Sequence, residues 1–155
     1  GRNRGHPMKI DDFSAVSTAG TFKLSAHKGE TVVLYFYPRD NTPGCTTEGA
    51  DFRDRDAKFR KAGAIVVGVS RDTLASHEKW RAKMGFPFEL IADPDEVLCK
   101  QFGVIKMKNM YGKKVRGIER STFLIDGRRN LVREWRGVKV PGHADEVLAA
   151  VEAMR

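Results

Sequence analysis

The chain has 155 residues, of which 41% are hydrophobic and 31% charged, a balance typical of a globular protein large enough to bury a core. No apolar stretch approaches the ~18 residues of a membrane span, and no signal-peptide pattern is present, which argues against a membrane protein. The two cysteines are too few for a disulfide framework and favour a reducing, cytoplasmic compartment. We expect residues 1–8 to be a disordered or cloning-derived N-terminus and residues 9–155 to form one domain.

The formal net charge of +8 raises the question of nucleic-acid binding. The densest basic stretch runs over residues 106–116, and it contains no helix-turn-helix or RNA-binding signature. We interpret it as a solvated basic loop and predict no nucleic-acid partner. Its charge could still attract an anionic reductant or partner protein.

The first half of the chain alternates strands and helices. A turn signal at residues 19–20 precedes a short strand at 22–24 and predicts an N-terminal β-hairpin. Residues 32–37 and 64–70 are β-branched and aromatic runs, typical of buried strands. A helix between them would form a right-handed βαβ unit with parallel strands.

The helix in this unit is predicted over residues 43–62. Pro38 ends the preceding strand, and Thr42 with Pro43 indicates a helix that begins with a hydroxyl cap and a proline in its first turn. Cys45 therefore lies in the first turn of a helix, at the carboxyl end of a buried strand. Unpaired backbone N–H groups and the helix dipole favour a thiolate there, and open α/β sheets place their active sites at this edge. Cys45 is predicted to be a reactive cysteine.

The second half of the chain continues the α/β pattern, and we predict four further elements from local signals. These are a helix from 72–73 to about 84, a helix with a capping-box-like start at 93–96 that ends near 102, a β-hairpin of residues 122–125 and 131–135, and a last amphipathic helix opened by 141–142. The fold class is therefore α/β.

Pro38, Thr42 and Cys45 stand in a P-x-x-x-T-x-x-C spacing that resembles the active-site signature of peroxiredoxins, and residues 37–48 resemble the bacterioferritin-comigratory, or Q-type, branch. Further matches lie at residues 68–70, 93–95, 120–126 and 140–143. The resemblance covers nearly the whole chain. It implies a thioredoxin-like fold, with a central mixed β-sheet flanked by helices, and a thiol-dependent reduction of hydrogen peroxide and organic hydroperoxides.

The resemblance also implies roles for individual residues. Cys45 would be the peroxidatic nucleophile, which becomes a sulfenic acid, and Arg120 would stabilise its thiolate and the peroxide. Lowering the pKa of a thiol by about two units takes roughly 2.7 kcal/mol. A helix terminus typically contributes only about 0.3–1 kcal/mol, and up to about 2 in favourable geometry, so a cation is needed as well. Thr42 and the backbone N–H groups of Gly44 and Cys45 would hold the peroxide. The remaining implied roles are those of Pro38, which would wall the pocket from water, and Glu48, which would orient the arginine.

The second cysteine departs from the family pattern. Many Q-type members carry a resolving cysteine five residues after the first, where this chain has Ala50, and another branch places it where this chain has Arg81. Cys99 remains, and helical periodicity does not decide its burial. We favour a structural thiol and a one-cysteine cycle, in which an external thiol (thioredoxin, glutaredoxin or a small thiol) reduces the sulfenic acid. The alternative is an atypical two-cysteine cycle with Cys99 as the resolving thiol.

Other classes fit the sequence less well. A thiol–disulfide oxidoreductase would carry a C-x-x-C motif, which is missing here, and a basic binding module would not need the intact signature. The chain's histidines lack metal-ligand spacing, so we predict neither a metal nor a cofactor. We predict a monomer. The histidines are His6, His27, His77 and His143.

Overall fold

The computed structural model of the protein describes residues 8–154, and it confirms the α/β class. The prediction for residues 1–8 falls outside the described residues except for Met8, whose carbonyl oxygen accepts a hydrogen bond from the Leu131 N–H. The strands are β1 (Ser14–Ser17), β2 (Gly20–Lys23), β3 (Thr31–Phe36), β4 (Ala64–Ser70), β5 (Leu90–Ala92), β6 (Ile105–Met110), β7 (Lys113–Ile118), β8 (Ser121–Ile125) and β9 (Leu131–Arg136). The helices are α1 (Pro43–Lys61), α2 (Leu74–Met84), α3 (Val97–Gln101) and α4 (His143–Glu152).

Seven strands form one mixed sheet in the order β2-β1-β5-β4-β3-β8-β9. Strands β3, β4 and β5 are parallel, as the βαβ pattern predicts, and β8 joins β3 in the antiparallel direction. The N-terminal hairpin β1–β2 and the hairpin β8–β9 are both confirmed. Because β8 runs against β3, the residue that begins β8 lies beside the carboxyl end of β3.

Alternate residues of the central strands pack on opposite faces of the sheet and create two cores. On one face Val33 and Tyr35 pack with Cys45 and with the buried residues of α1 and α4; we call this the Cys45-side core. On the other face Val32 and Leu34 pack with Cys99 and with buried residues of β8; we call this the Cys99-side core. The sheet separates the two cysteines.

The predicted start of the third helix is wrong. Helix α3 begins at Val97, after Glu96 in a left-handed conformation with φ of 61°, and Glu96 makes no capping hydrogen bond through its side chain. The carboxylate of Asp93 instead accepts hydrogen bonds from the N–H groups of Leu98 and Cys99, at 3.1 and 2.8 Å. The aspartate reaches over a tight turn, so the helix starts later than the capping-box spacing indicates.

The prediction of a basic loop at residues 106–116 is also wrong. Strands β6 and β7 pair over this stretch as a two-stranded antiparallel hairpin, with Met110 opposite Lys113. Tyr111 and Gly112 form the turn with φ of 53° and 78°, the positive values that a tight two-residue hairpin turn requires. The side chains from Lys106 to Arg116 are exposed, so the charge is solvated as expected.

Within residues 8–154, no helix combines the length and the apolar character needed to cross a membrane.

Candidate active site

Cys45 is the third residue of α1 and lies where β3 ends and the helix begins. Pro43 occupies the first turn, as predicted, and Cys45 is buried, with 2% of its surface exposed. The predicted hydroxyl cap is wrong, because the Thr42 hydroxyl donates to the carbonyl oxygen of Arg39 at 3.0 Å and makes no capping hydrogen bond to the helix. The first-turn N–H groups, which have no partners within a helix, therefore receive no bond from this side chain.

Arg120 contacts the sulfur of Cys45 from the start of β8, the strand next to β3. Both terminal nitrogens of its guanidinium lie 3.6 Å from Sγ, although the two residues are 75 positions apart. The contact follows from the sheet topology: Arg120 directly precedes β8, and Ser121 pairs with Phe36 at the end of β3. Two N–H donors directed at one sulfur favour its anionic form.

Glu48 holds the same guanidinium from one helical turn further along α1. Its Oε1 accepts a hydrogen bond of 2.6 Å from Nη1 of Arg120. Glu48 is only 1% exposed, and among the described residues its Oε2 has no hydrogen-bond partner. Burial raises the pKa of Glu48 to about 7, although Arg120 acts in the opposite direction.

Arg120 remains a cation in this setting. Burial disfavours its charge, but the carboxyl group of Glu48 and the sulfur of Cys45 outweigh that cost, and the pKa of Arg120 is raised. Its side chain keeps 16% of its surface exposed, whereas that of Glu48 is almost wholly enclosed. The desolvation penalty of the pair therefore falls mainly on Glu48.

Gly44 allows the guanidinium to approach the helix. A Cβ atom at this position would lie 3.1 Å from Nη2 of Arg120, closer than an ordinary van der Waals contact. Of the site residues predicted from sequence, Gly44, Cys45, Glu48 and Arg120 are thus brought together. The other two, Pro38 and Thr42, flank them in the loop before α1, and both are half-buried.

Cys99 lies in a different core from Cys45, Glu48 and Arg120. It is fully buried in the Cys99-side core, with 0% exposure. Burial and the neighbouring carboxylate of Asp93 raise the pKa of the Cys99 thiol well above its usual range. The side chain is therefore a neutral thiol on the face of the sheet opposite Cys45.

One polar cluster beside the site was not predicted. Ligand atoms of Asp40, Asp72 and His77 lie within 4.8 Å of one another, a separation at which they could hold a metal ion. In the structure Oδ2 of Asp40 hydrogen-bonds to Nδ1 of His77 and accepts from the hydroxyl of Ser76. Oδ2 of Asp72 accepts from the N–H of Asp40 and from the hydroxyl of Ser70. The spacing of 32 and 37 positions gives no sequence signal, because only the packing of α2 against the loop after β3 brings the residues together.

Comparisons with known proteins place the chain in a family. Residues 8–134 match the AhpC/TSA family. A peroxiredoxin Bcp from Xanthomonas campestris is 59% identical over 130 residues, which cover 84% of this chain and 81% of that protein. A peroxiredoxin Bcp from Bacillus subtilis is 48% identical over 134 residues, covering 86% and 85%. A structure of X. campestris peroxiredoxin Q, at 55% identity, superposes with a TM-score of 0.87 and covers 91% of this chain and 90% of that one.

The fold and these relatives define a thioredoxin-fold peroxiredoxin, an enzyme that reduces hydroperoxides with a thiol reductant. The chain belongs to the AhpC/TSA family. The expected resemblance to the bacterioferritin-comigratory branch is confirmed, and so is the expected thiol-dependent peroxidase activity.

The relatives also show where a second cysteine lies in another member of the family. Two structures of X. campestris peroxiredoxin Q carry cysteine-to-serine substitutions at two sites 36 positions apart. The same interval counted from Cys45 ends at Arg81, whose Nε donates to the carbonyl oxygen of Phe88 at 2.9 Å. In this chain that position carries an arginine that takes part in packing rather than a thiol.

Proposed function

We propose that Cys45 is the peroxidatic nucleophile of this peroxidase. Its thiolate attacks the terminal oxygen of a hydroperoxide, the S–O bond forms as the O–O bond breaks, and the leaving oxygen takes a proton to become water or an alcohol. Cys45 becomes a sulfenic acid. The observation that carries this assignment is the pair of guanidinium nitrogens of Arg120 at 3.6 Å from Sγ.

The surrounding residues suit the binding of the peroxide. Arg120 would donate to the oxygen that develops negative charge as well as to the sulfur. The N–H groups of Gly44 and Cys45, in the first turn of α1, supply further donors. Thr42 would bind the peroxide through its hydroxyl oxygen. The two remaining roles are those of Pro38, which would exclude water from the pocket, and Glu48, which would hold Arg120 in place.

We infer a one-cysteine cycle, in which an external thiol reduces the sulfenic acid. The support is the position of Cys99 in the core on the other face of the sheet, since a disulfide requires two Cα atoms within about 7 Å. A two-cysteine cycle through Cys99 would need both cysteines to leave their cores. The thiol reductant would be thioredoxin, glutaredoxin or a small thiol.

We infer a reducing, cytoplasmic compartment and a monomeric protein. Cys45 and Cys99 are both free thiols, in keeping with the reducing cytoplasm that the cysteine content favours. The Cys45 site is formed by residues of one chain, in keeping with a monomer.

The proposal is tested by peroxide consumption in two matched variants. Cys45→Ser should abolish turnover with the fold intact, because an alcohol at that site stays protonated and attacks poorly. Cys99→Ser makes the same chemical change in the other core and should keep turnover with a small-thiol reductant. Turnover above background in Cys45→Ser would overturn the assignment of the nucleophile.

A further inference from the structure

The loop that carries Thr42 is held by a buried acidic residue. Asp40 lies at the middle of the loop between β3 and α1 and is only 7% exposed, although its neighbours Arg39 and Asn41 are exposed. Asn41 has a positive φ of 61°, so the chain turns sharply there. An aspartate in such a turn usually points to water, and its burial here requires polar partners inside the protein.

A single peptide group links this loop to Thr42. The N–H of Asp40 donates to Oδ2 of Asp72 at 2.9 Å, and the carbonyl of Arg39, in the same peptide plane, accepts the hydroxyl proton of Thr42 at 3.0 Å. Because the peptide group is planar, fixing its N–H also fixes the direction of its carbonyl. Asp72 is itself held by Ser70, whose hydroxyl donates to the same carboxylate oxygen.

The side chain of Asp40 anchors the loop to α2 and β5. Its Oδ1 accepts from the hydroxyl of Tyr37 at 2.7 Å, and its Oδ2 lies 2.8 Å from the hydroxyl of Ser76 and 2.7 Å from Nδ1 of His77. The other nitrogen of His77, Nε2, lies 2.8 Å from the carbonyl oxygen of Ile91, which can only accept, so Nε2 carries a proton. Its Nδ1 faces the carboxyl group of Asp40. Asp40 and His77 thus form a buried hydrogen-bonded pair.

We propose that Asp72, together with the Asp40–His77 pair, positions the Thr42 hydroxyl for peroxide binding. The network holds the Arg39–Asp40 peptide in a fixed orientation. The Thr42 hydroxyl therefore donates its proton to the Arg39 carbonyl oxygen, and its oxygen lone pairs accept a hydrogen bond from the O–H of the peroxide. None of these three residues contacts Cys45 in the structure, so they act through Thr42. The inference rests on the proposed role of Thr42 in binding the peroxide.

The test compares two reactions of the same sulfur. The rate of Cys45 oxidation by hydrogen peroxide depends on peroxide positioning, whereas alkylation of Cys45 by iodoacetamide depends only on thiolate formation and access. Asp72→Ala removes the acceptor and should slow oxidation by about threefold to tenfold, the factor that corresponds to one lost hydrogen bond, with alkylation unchanged. Asp72→Asn keeps an acceptor oxygen and should restore most of the oxidation rate. Equal slowing of both reactions in Asp72→Ala, or no slowing of oxidation, would overturn the proposal.

A double-variant cycle separates this proposal from the one on which it rests. Thr42→Val should slow oxidation, and Asp72→Ala should cause little further loss in the Thr42→Val background, because both changes remove one function. An additive loss would show that Asp72 acts on stability or elsewhere. If Cys45 of Thr42→Val is oxidised at the full rate, Thr42 does not bind the peroxide, and the positioning role of the network is wrong as well. If Thr42→Val is slow and Asp72→Ala is not, only the network is wrong.

Two conservative variants extend the test to the rest of the network. Ser76→Ala and Tyr37→Phe each remove one hydroxyl donor from the Asp40 carboxylate and leave no charge unpaired. They therefore test the network even if Asp72→Ala folds poorly. Each should slow oxidation by about twofold to fivefold with unchanged alkylation. His27→Gln, at a hydrogen bond with Glu30 outside the network, is the control and should not change either rate. Wild-type oxidation rates in both Ser76→Ala and Tyr37→Phe would contradict the anchoring role of Asp40.

Discussion

Among the individual residues, the site is a cation, Arg120, shared by two buried acidic groups, Cys45 and Glu48. Arg120 donates to the sulfur of Cys45 at 3.6 Å and to the carboxylate of Glu48 at 2.6 Å. Glu48 is the most enclosed of the three and has one oxygen without a partner among the described residues, so it carries the cost of desolvation. The guanidinium is therefore fixed in direction by a carboxyl group that can itself be neutral near pH 7.

The raised pKa of Glu48 predicts a specific pH dependence of stability. The folded protein holds a proton on Glu48 up to about pH 7, whereas the unfolded chain releases it near 4.5. This contribution to the free energy of unfolding is fully present below about pH 4.5 and is lost as the pH rises through about 7. Glu48→Gln has no such titration, so the fall in stability across this window should be smaller than in the wild type.

Denaturant unfolding across that pH window measures the difference. Groups other than Glu48 titrate in both proteins and cancel when the two pH profiles are subtracted. Glu78→Gln, at an exposed position of α2, is the matched control and should keep the wild-type profile. Identical profiles for Glu48→Gln and the wild type would show that burial does not shift the titration of Glu48.

The contact of Arg120 with the sulfur predicts that its shape matters as well as its charge. Arg120→Lys keeps one positive charge but loses the planar group that reaches Cys45 and Glu48 at once, so peroxide oxidation should slow tenfold or more, which corresponds to about 1.4 kcal/mol of transition-state stabilisation. Stopped-flow measurement of the second-order rate gives the value. Arg116→Lys, the same change on an exposed strand, should react at the wild-type rate, and an equal rate in Arg120→Lys would mean that another group activates the thiolate.

At the scale of the elements, α1 and β8 together build the site. Helix α1 presents Gly44, Cys45 and Glu48 from its first two turns, and β8 brings Arg120 to the carboxyl end of β3 by antiparallel pairing. At Gly44, an added side chain would touch the guanidinium of Arg120. A substitution of Gly44 should therefore affect the stability of the helix and the rate of catalysis in different ways.

Gly44→Ala should make the protein slightly more stable and less active. Alanine in a helix is favoured over glycine by roughly 0.5–1 kcal/mol, but its Cβ would lie 3.1 Å from Nη2 of Arg120 and push the guanidinium away from the sulfur. We expect oxidation to slow about threefold to tenfold, with no loss in thermal stability. Gly117→Ala is the control, since no atom lies within 4 Å of its added Cβ. A full rate in Gly44→Ala would show that Arg120 tolerates the shift.

At the scale of the whole molecule, the seven-stranded sheet separates the two thiols. Cys45 belongs to the core that α1 and α4 cover, and Cys99 belongs to the core on the opposite face. Neighbouring residues of β3 point alternately into the two cores, so the backbone of β3 lies between the core of Cys45 and the core of Cys99. Direct disulfide formation would require part of the domain to unfold.

This separation predicts the products of peroxide treatment. One equivalent of peroxide should leave Cys45 as a sulfenic acid that dimedone or a small thiol traps, and excess peroxide should drive it to sulfinic acid. Mass spectrometry of the treated protein distinguishes these species from a disulfide. A quantitative Cys45–Cys99 disulfide, with loss of turnover in Cys99→Ser, would establish the two-cysteine cycle instead.

Some elements escaped prediction because their local signals are weak. Strand β5 has only three residues, too few for a two-residue period to show. The hairpin β6–β7 is rich in lysine, a composition that favours a solvated loop, although its Tyr111–Gly112 turn is a usable hairpin signal. Two exposed strands without a buried face lack the hydrophobic alternation on which strand prediction depends.

The amino-acid sequence predicts the strand, loop and helix around Cys45, because β-branched runs, proline and helix-start signals act between near neighbours. The family signature adds Arg120, which no local pattern connects to a cysteine 75 positions away. The burial that raises the pKa of Glu48, and the face of the sheet on which Cys99 lies, follow from the packing of the elements and not from any local pattern. The same holds for the meeting of Asp40 with His77, 37 positions later. Burial and long-range contact are properties of packed elements, and a linear pattern does not contain them.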